Sequence, residues 1–314
     1  MAPKGASKRE QLFTLYATNL SIYHPDVVDH FLCPLCLNLF SRAALRCDPP
    51  NVALAHVVPQ SVGGRLCTLA CRECDNRIGS AYDSHANREK SFVDWQRGTG
   101  TMPGRLKHKR GDIGVEMSLK DNGKGFQFLF IKGQWDPASI SQFVEDAESD
   151  WSSLASSFTF RAYNSTKRDK SLLYSAFLMM FQEFGYEYVL SPNAHRVRQV
   201  IRDNRPLSDL GNRVFSLPEA LSEFGRLPSV SILIEPRKFR SFIVALPSPK
   251  ENEPARCLFL PGFGEDGKKA YECLLALAKP CDKFRARVLA HDLSHRLPLS
   301  QHKWFANRLW RNLR

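Results

Sequence analysis

Ala55-His56-Val57-Val58-Pro59-Gln60-Ser61-Val62-Gly63-Gly64 lies between two Cys-x-x-Cys pairs, Cys33/Cys36 and Cys71/Cys74. Each pair places two thiolates on one side of a tight turn, and two such turns together supply the four soft ligands that tetrahedral zinc favours. One ion held this way clamps residues 33–74 into a compact unit. Disulfides are the competing reading. Residues 1–10 are polar, and neither an apolar leader-like stretch nor a hydrophobic run of spanning length occurs in the chain. A cytoplasmic protein with reduced thiols, and no membrane partner, is therefore the expectation. Cys67 is close enough in sequence to the second pair to be a spare ligand. Cys47, Cys257, Cys273 and Cys281 lack paired spacing and read as small buried apolar residues.

Between the pairs, residues 52–58 are apolar and β-branched and predict a strand carrying His56. Pro59 ends its ladder, Gly63-Gly64 permits a sharp reversal, and Thr68-Leu69-Ala70 predicts a short returning strand. After Cys71-Arg72-Glu73-Cys74, residues 75–82 begin a helix whose first turn, with Asp75 or Asn76, faces back toward His56. The sequence thus predicts a hairpin followed by a helix.

Residues 33–88, under a fifth of the chain, resemble the HNH nuclease family through Cys33-x-x-Cys36, His56-Val57-Val58-Pro59-Gln60-Ser61-x-Gly63-Gly64 and Cys71-Arg72-Glu73-Cys74-Asp75-Asn76-Arg77-Ile78-Gly79-Ser80. The resemblance implies the ββα-metal fold with a structural zinc on Cys33, Cys36, Cys71 and Cys74. It makes His56 the general base that activates water and Asp75 a ligand of one catalytic divalent cation, with Asn76 the alternate if the helix register slips by one. The chemistry suits these residue types. An imidazole titrates near neutral pH, and oxygen ligands suit Mg²⁺ or Mn²⁺ facing a scissile phosphate. The chain departs from the family at Ala55, where an acidic or histidine ligand usually precedes the base. Three explanations compete: the cation is held by Asp75 with Asn76 and a recruited carboxylate such as Asp48 or Asp83, the centre is naturally degenerate, or position 55 has been altered to inactivate it. Asp83 and His85, just past the helix start, are reserve ligands and otherwise read as a solvated helix end.

The net charge is +12 and the pI about 9.4, with the basic excess at the two ends, residues 1–110 and 279–314. Such surface supplies the salt-sensitive part of nucleic-acid binding. Arg72 and Arg77 stand next to the candidate centre, Arg105, Lys107, Lys109 and Arg110 form a strip after it, and Lys303, Arg308 and Arg311 lie on an aromatic-interleaved terminal helix. Taken singly, each patch reads equally well as a solvated face that aids solubility.

The fold class expected is α+β: an HNH domain over residues 1–104, with core 33–88, then a larger α+β domain over 105–314. The run 97–105, rich in Gly, Pro, Thr and Arg, is the expected break. Residues 11–23 predict a helix leading into the module. In the second part, strands are predicted at 113–120, 125–132, 158–163, 229–235, 241–246, 256–260 and 284–290, and helices at 137–151, 168–188 and 265–278. The 168–188 stripe is the strongest, with Gly185 as its stop. Nothing in 111–300 carries a catalytic motif; Leu260-Pro261-Gly262-Phe263-Gly264 reads as a turn. The functional expectation is a metal-dependent endonuclease acting on nucleic acid, double-stranded DNA above all, in restriction or defence. The alternatives are a catalytically degenerate zinc-dependent DNA-binding protein, and a protein-interaction scaffold with an incidental basic surface. Oligomeric state is not encoded.

Overall fold

The computed structural model describes residues 7–59, 64, 67–108, 111–120, 125–131, 136–149, 157–210, 214–216, 229–235, 240–246, 255–263 and 287–291. In chain order its elements are α1 (Lys8–Ser21), β1 (His30–Leu32), β2 (Leu39–Ser41), β3 (Val52–His56), β4 (Cys67–Cys71), α2 (Arg72–Ile78) and α3 (Ser84–Gln96). Then come β5 (Met102–His108), β6 (Gly111–Lys120), β7 (Gly125–Phe130), α4 (Pro137–Ser149), β8 (Ser157–Phe160), α5 (Ser165–Val189) and α6 (Pro192–Arg202). The remainder are β9 (Phe215–Ser216), β10 (Ser229–Glu235), β11 (Ser241–Leu246), β12 (Arg256–Pro261) and β13 (Arg287–His291). The mixed α+β class expected from the sequence is thereby observed.

The described residues divide by packing into two units, one drawn from Met1–Ser84, Ser165–Ser248 and Asn252–Arg314, the other from His85–Asn164 with Pro249–Glu251. In the first unit, α5 is the organising element. From Lys170 onward nearly every side chain is buried, including the aromatic residues Tyr174, Phe177, Phe181 and Tyr188 and, around the rest of the helix, Leu178, Met179 and Met180. A helix that is apolar all round must be covered on all sides. One side takes α1, where Tyr16 stacks on Phe181 at 4.2 Å and the Asn19 amide oxygen accepts the Tyr186 N–H at 2.8 Å. Another takes the antiparallel sheet β13-β10-β11-β12-β9, where Phe184 meets Phe242 at 5.0 Å. Gly185 interrupts the helix, as the sequence suggested. At φ 55° it adopts a backbone that L side chains avoid, and the helix resumes to Val189 across the kink.

α1 starts on a capping box, with the Ser7 hydroxyl accepting the Glu10 N–H and the Glu10 carboxylate accepting the Ser7 N–H. The β3–β4 hairpin is in the register Val52↔Cys71, Ala55↔Thr68 and His56↔Cys67. Gly64 N–H closes on Pro59 O at 3.2 Å, and a Cβ on Gly64 would lie 1.9 Å from the Val58 carbonyl oxygen, so the reversal accepts only glycine there. A helix that the sequence reading did not assign, α6, begins at Ser191, whose hydroxyl accepts the Ala194 N–H, with Pro192 in its first turn.

The second unit is the sheet β7-β6-β5-β8 with α4 and all of α3 but its first residue. Leu106, Ile113, Val115 and Phe143 form its core, and Phe128 and Phe130 pack on it while Phe126 is 60% exposed. The 97–105 run, expected to break regular structure, feeds directly into β5. The 121–124 turn and the 265–278 helix lie outside the described residues.

Candidate functional site

The first cysteine pair sits on the turn joining β1 to β2. Cys33 N–H donates to Asn38 O and Leu37 N–H to Cys33 O, each at 3.0 Å, and Leu37 takes φ 60° to close the turn. Asn38 N–H then points at Cys36 Sγ at 3.5 Å. The second pair spans the end of β4 and the first turn of α2. Cys71 is the N-cap, its sulfur accepting the Cys74 N–H at 3.4 Å, and its own N–H donates to Cys33 Sγ at 3.4 Å.

All four sulfurs lie within 4.8 Å of one another, and Cys36 and Cys71 Sγ are 3.7 Å apart. Zn–S bonds of about 2.3 Å in a tetrahedron put sulfurs about 3.8 Å apart, so the spacing fits such an ion. None of the four is in a disulfide. Burial pushes the Cys33 thiol well up, whereas hydrogen bonding from Cys33 and the other two sulfurs holds Cys36 down as the thiolate. Four thiols this close together are the donor set that a soft divalent cation binds, displacing their protons. The four cysteines can therefore hold a structural metal such as zinc. Cys67, the spare ligand of the sequence reading, stands outside this group, opposite His56 in the β3–β4 ladder, and Cys47, expected to be buried, is exposed, whereas Cys257 is buried as expected.

His56 closes β3 and is exposed. Its neighbour Ala55 is fully buried, and across the ladder from it the Thr68 and Tyr16 hydroxyls meet at 2.6 Å. Position 55 therefore faces the core.

Asp75 lies in the first turn of α2 and is partly buried, with Oδ1 accepting the Tyr174 hydroxyl at 3.2 Å. Burial raises its carboxyl above the usual range, against the Tyr174 hydrogen bond and the charge of His56, which both lower it. The structure thus brings His56 and Asp75 within electrostatic reach. Asn76, one residue on, is exposed.

Asp83 sits in a π-helical turn, Gly79–Asp83, that joins α2 to α3. Its Oδ1 accepts the Ser171 hydroxyl at 2.6 Å, and burial, opposed by that bond and assisted by the charge of Asp75, pushes it up to about 6. Asp83 is therefore a partly buried neighbour of Asp75 rather than part of a solvated helix end. Asp48 is exposed, and His85 Nδ1 accepts the Asn164 N–H at 2.9 Å.

A folded-state value above the ordinary one means that Asp83 favours the fold when protonated. That contribution is complete below about pH 4 and is lost as pH rises through 6. Asp83→Asn keeps the oxygen that accepts from Ser171 and removes the charge. It is expected to raise unfolding free energy near neutral pH by up to about 3 kcal/mol and to leave it unchanged below about pH 4, as read by urea denaturation across that range.

Of the cationic residues, Arg72 Nε donates to Pro50 O at 2.7 Å, committing part of its guanidinium to the module, and Arg77 is exposed. On β5, in the second unit, Arg105 and Lys107 are exposed on the face opposite Leu106, and Arg105 lies 3.9 Å from Asp112. Lys109, Arg110, Lys303, Arg308, Arg311 and the Gln60–Gly63 part of the motif lie outside the described residues. Tyr174 and Ser171, which reach Asp75 and Asp83 from α5, carried no signal in sequence because they are some ninety residues distant and sit in an apolar stripe. Among the described residues no helix is long and apolar enough to cross a membrane. In comparisons with known proteins, no family model, curated protein or solved structure matches the chain.

Proposed function

We propose that the protein is a metal-dependent HNH-type endonuclease hydrolysing phosphodiester bonds in nucleic acid, duplex DNA being the expected substrate. The carrying observation is that an exposed His56 on the hairpin lies near enough to Asp75, in the first turn of the following helix, for its charge to act on that carboxyl, on a scaffold whose four cysteines cluster at that helix's start. In this reading zinc on Cys33, Cys36, Cys71 and Cys74 is structural and fixes the hairpin against the helix. Mg²⁺ or Mn²⁺, when bound, neutralises charge on the scissile phosphate and leaving oxygen. Asp75, oriented by Tyr174, supplies its charged oxygen ligand, with Asn76 and the neighbouring Asp83 the remaining oxygens on the same helical segment. His56, open to solvent, takes the proton of the attacking water. Arg77, exposed one turn along, steadies the phosphate backbone.

The burial of Ala55 favours a second reading, a zinc-dependent DNA-binding module that has lost cleavage, because the usual ligand position is an apolar wall here. Incubation of the zinc-replete protein with supercoiled plasmid in Mg²⁺, Mn²⁺ or EDTA separates the two. Nicking that requires a divalent cation supports the hydrolase, and retained binding without nicking under every cation supports the module. Ala55→Asp places a carboxylate in the core, and without added cation it is expected to lower stability by roughly 2–4 kcal/mol in chemical denaturation.

A further inference from the structure

The first unit holds a cavity of about 260 Å³ between α6, the turn that follows it and the end of β12. Its lining follows from helical spacing, since Asn193, Arg196 and Val200 recur at three- and four-residue intervals on one face of α6, with Gln199 beside them. After α6 the chain reverses at Asn204, which adopts φ 56°, and a 3₁₀ turn, Leu207–Leu210, brings Arg205, Asp209 and Leu210 to the opposite wall.

Both walls are pinned. Asn204 Oδ1 accepts the buried Lys170 ammonium and lies 3.4 Å from the Tyr82 hydroxyl, which also donates to Ile201 O at 3.1 Å. Asn193 Nδ2 donates to Gly262 O at 2.8 Å, holding the Pro261 rim against the helix. The cavity is thus a formed recess and not a gap between loosely placed loops.

Its chemistry is tripartite. The Arg196 guanidinium has no acid or hydrogen-bond partner among the described residues, and Arg205 meets only Asp203, at 4.0 Å between half-exposed groups. Two planar five-donor forks at one mouth suit a phosphate. A bare anion would not explain Asp209, whose carboxylate has no side-chain partner among the described residues and would repel it. A carboxylate and the Gln199 amide accept from hydroxyl or amino donors, and Val200, Leu210 and Pro261 offer an apolar surface to a flat ring.

We infer that this recess binds a nucleoside monophosphate unit, with the phosphate on Arg196 and Arg205, sugar or base donors on Asp209 and Gln199, and the base face on Val200 and Leu210. The site does not depend on the role of His56. The test is calorimetric titration of the full-length, zinc-replete chain with the four deoxynucleoside 5′-monophosphates, inorganic phosphate and the unphosphorylated nucleosides. At least one monophosphate is expected to saturate, with phosphate and nucleoside each weaker by about tenfold or more. Arg196→Gln and Arg205→Gln, at exposed positions that leave the fold intact by circular dichroism, are each expected to weaken the monophosphate by about tenfold. Asp209→Asn is expected to erase its advantage over inorganic phosphate, and His56→Ala to leave affinity unchanged. Absence of saturable monophosphate binding, binding indifferent to both arginine substitutions, or equal binding of inorganic phosphate overturns the assignment.

Discussion

Replacing Cys33 or Cys71 by serine is expected to abolish stoichiometric zinc and with it the cooperative unfolding of the amino-terminal module. Both thiols are buried; Cys33 Sγ accepts the Cys71 N–H and so joins the β1–β2 turn to the start of α2, while Cys71 Sγ accepts the Cys74 N–H and caps that helix. Structural zinc contributes about 10–16 kcal/mol in small zinc-dependent folds, comparable with or above the 5–15 kcal/mol that holds a typical domain. The few residues of β1 and β2 and the seven of α2 do not stand alone, and their core contacts are shared with α1 and α5. Metal analysis and thermal melts of Cys33→Ser, Cys71→Ser and the exposed control Cys47→Ser check this. The first two are expected to lose zinc and the cooperative transition, and the control to match the parent protein. Chelation of the parent protein is expected to reproduce the first two.

His56→Ala is expected to lower the rate of phosphodiester cleavage by about 10²–10⁴-fold, the range that a positioned general base contributes. Its stability is expected to stay within about 0.5 kcal/mol of the parent, because the ring is exposed and outside the core. Nucleic-acid affinity, which rests on cationic surface rather than on this ring, is expected to persist. Asp75→Ala behaves differently. It removes the oxygen that Tyr174 donates to and leaves that buried hydroxyl orphaned, at a cost of about 1–3 kcal/mol, so activity and stability fall together. Initial rates on a labelled duplex, beside denaturation curves, separate a lost base from a lost ligand.

The hairpin, a helix at the second cysteine pair and the cysteine pairing were legible because local chemistry dictates them, although the helix starts at Arg72, three residues earlier than expected, and gives way to a π-helical turn at Gly79. Cys-x-x-Cys makes its own turn, Pro59 ends a strand, and Gly64 alone fits against Val58. The strands 229–235 and 241–246 were legible for a similar reason, being short runs rich in Val, Ile, Leu and Phe between turn signals. What surrounds Asp75 was not legible. Asp83 reads as a helix-end residue until a π-helical turn rotates it inward to Ser171, and no residue near it announces that turn. Tyr174 lies within a stripe that reads as core, and it is core; only tertiary packing of α5 reveals that its hydroxyl serves a carboxylate. Gly185 was legible as the point where the helix breaks, whereas the short buried helical segment Tyr186–Val189 beyond it was not. Ala55 stood out as a departure from the family pattern, yet its burial beside Thr68 and Tyr16 came only with the fold.

The most direct measurement compares zinc-replete parent protein with His56→Ala on supercoiled plasmid in Mn²⁺, with EDTA as control. The expected result is nicking by the parent protein that disappears with EDTA and falls at least about a hundredfold with His56→Ala. Nicking that His56→Ala leaves intact, or plasmid bound and uncut by both proteins under every cation, contradicts a hydrolytic centre at the β3–α2 junction.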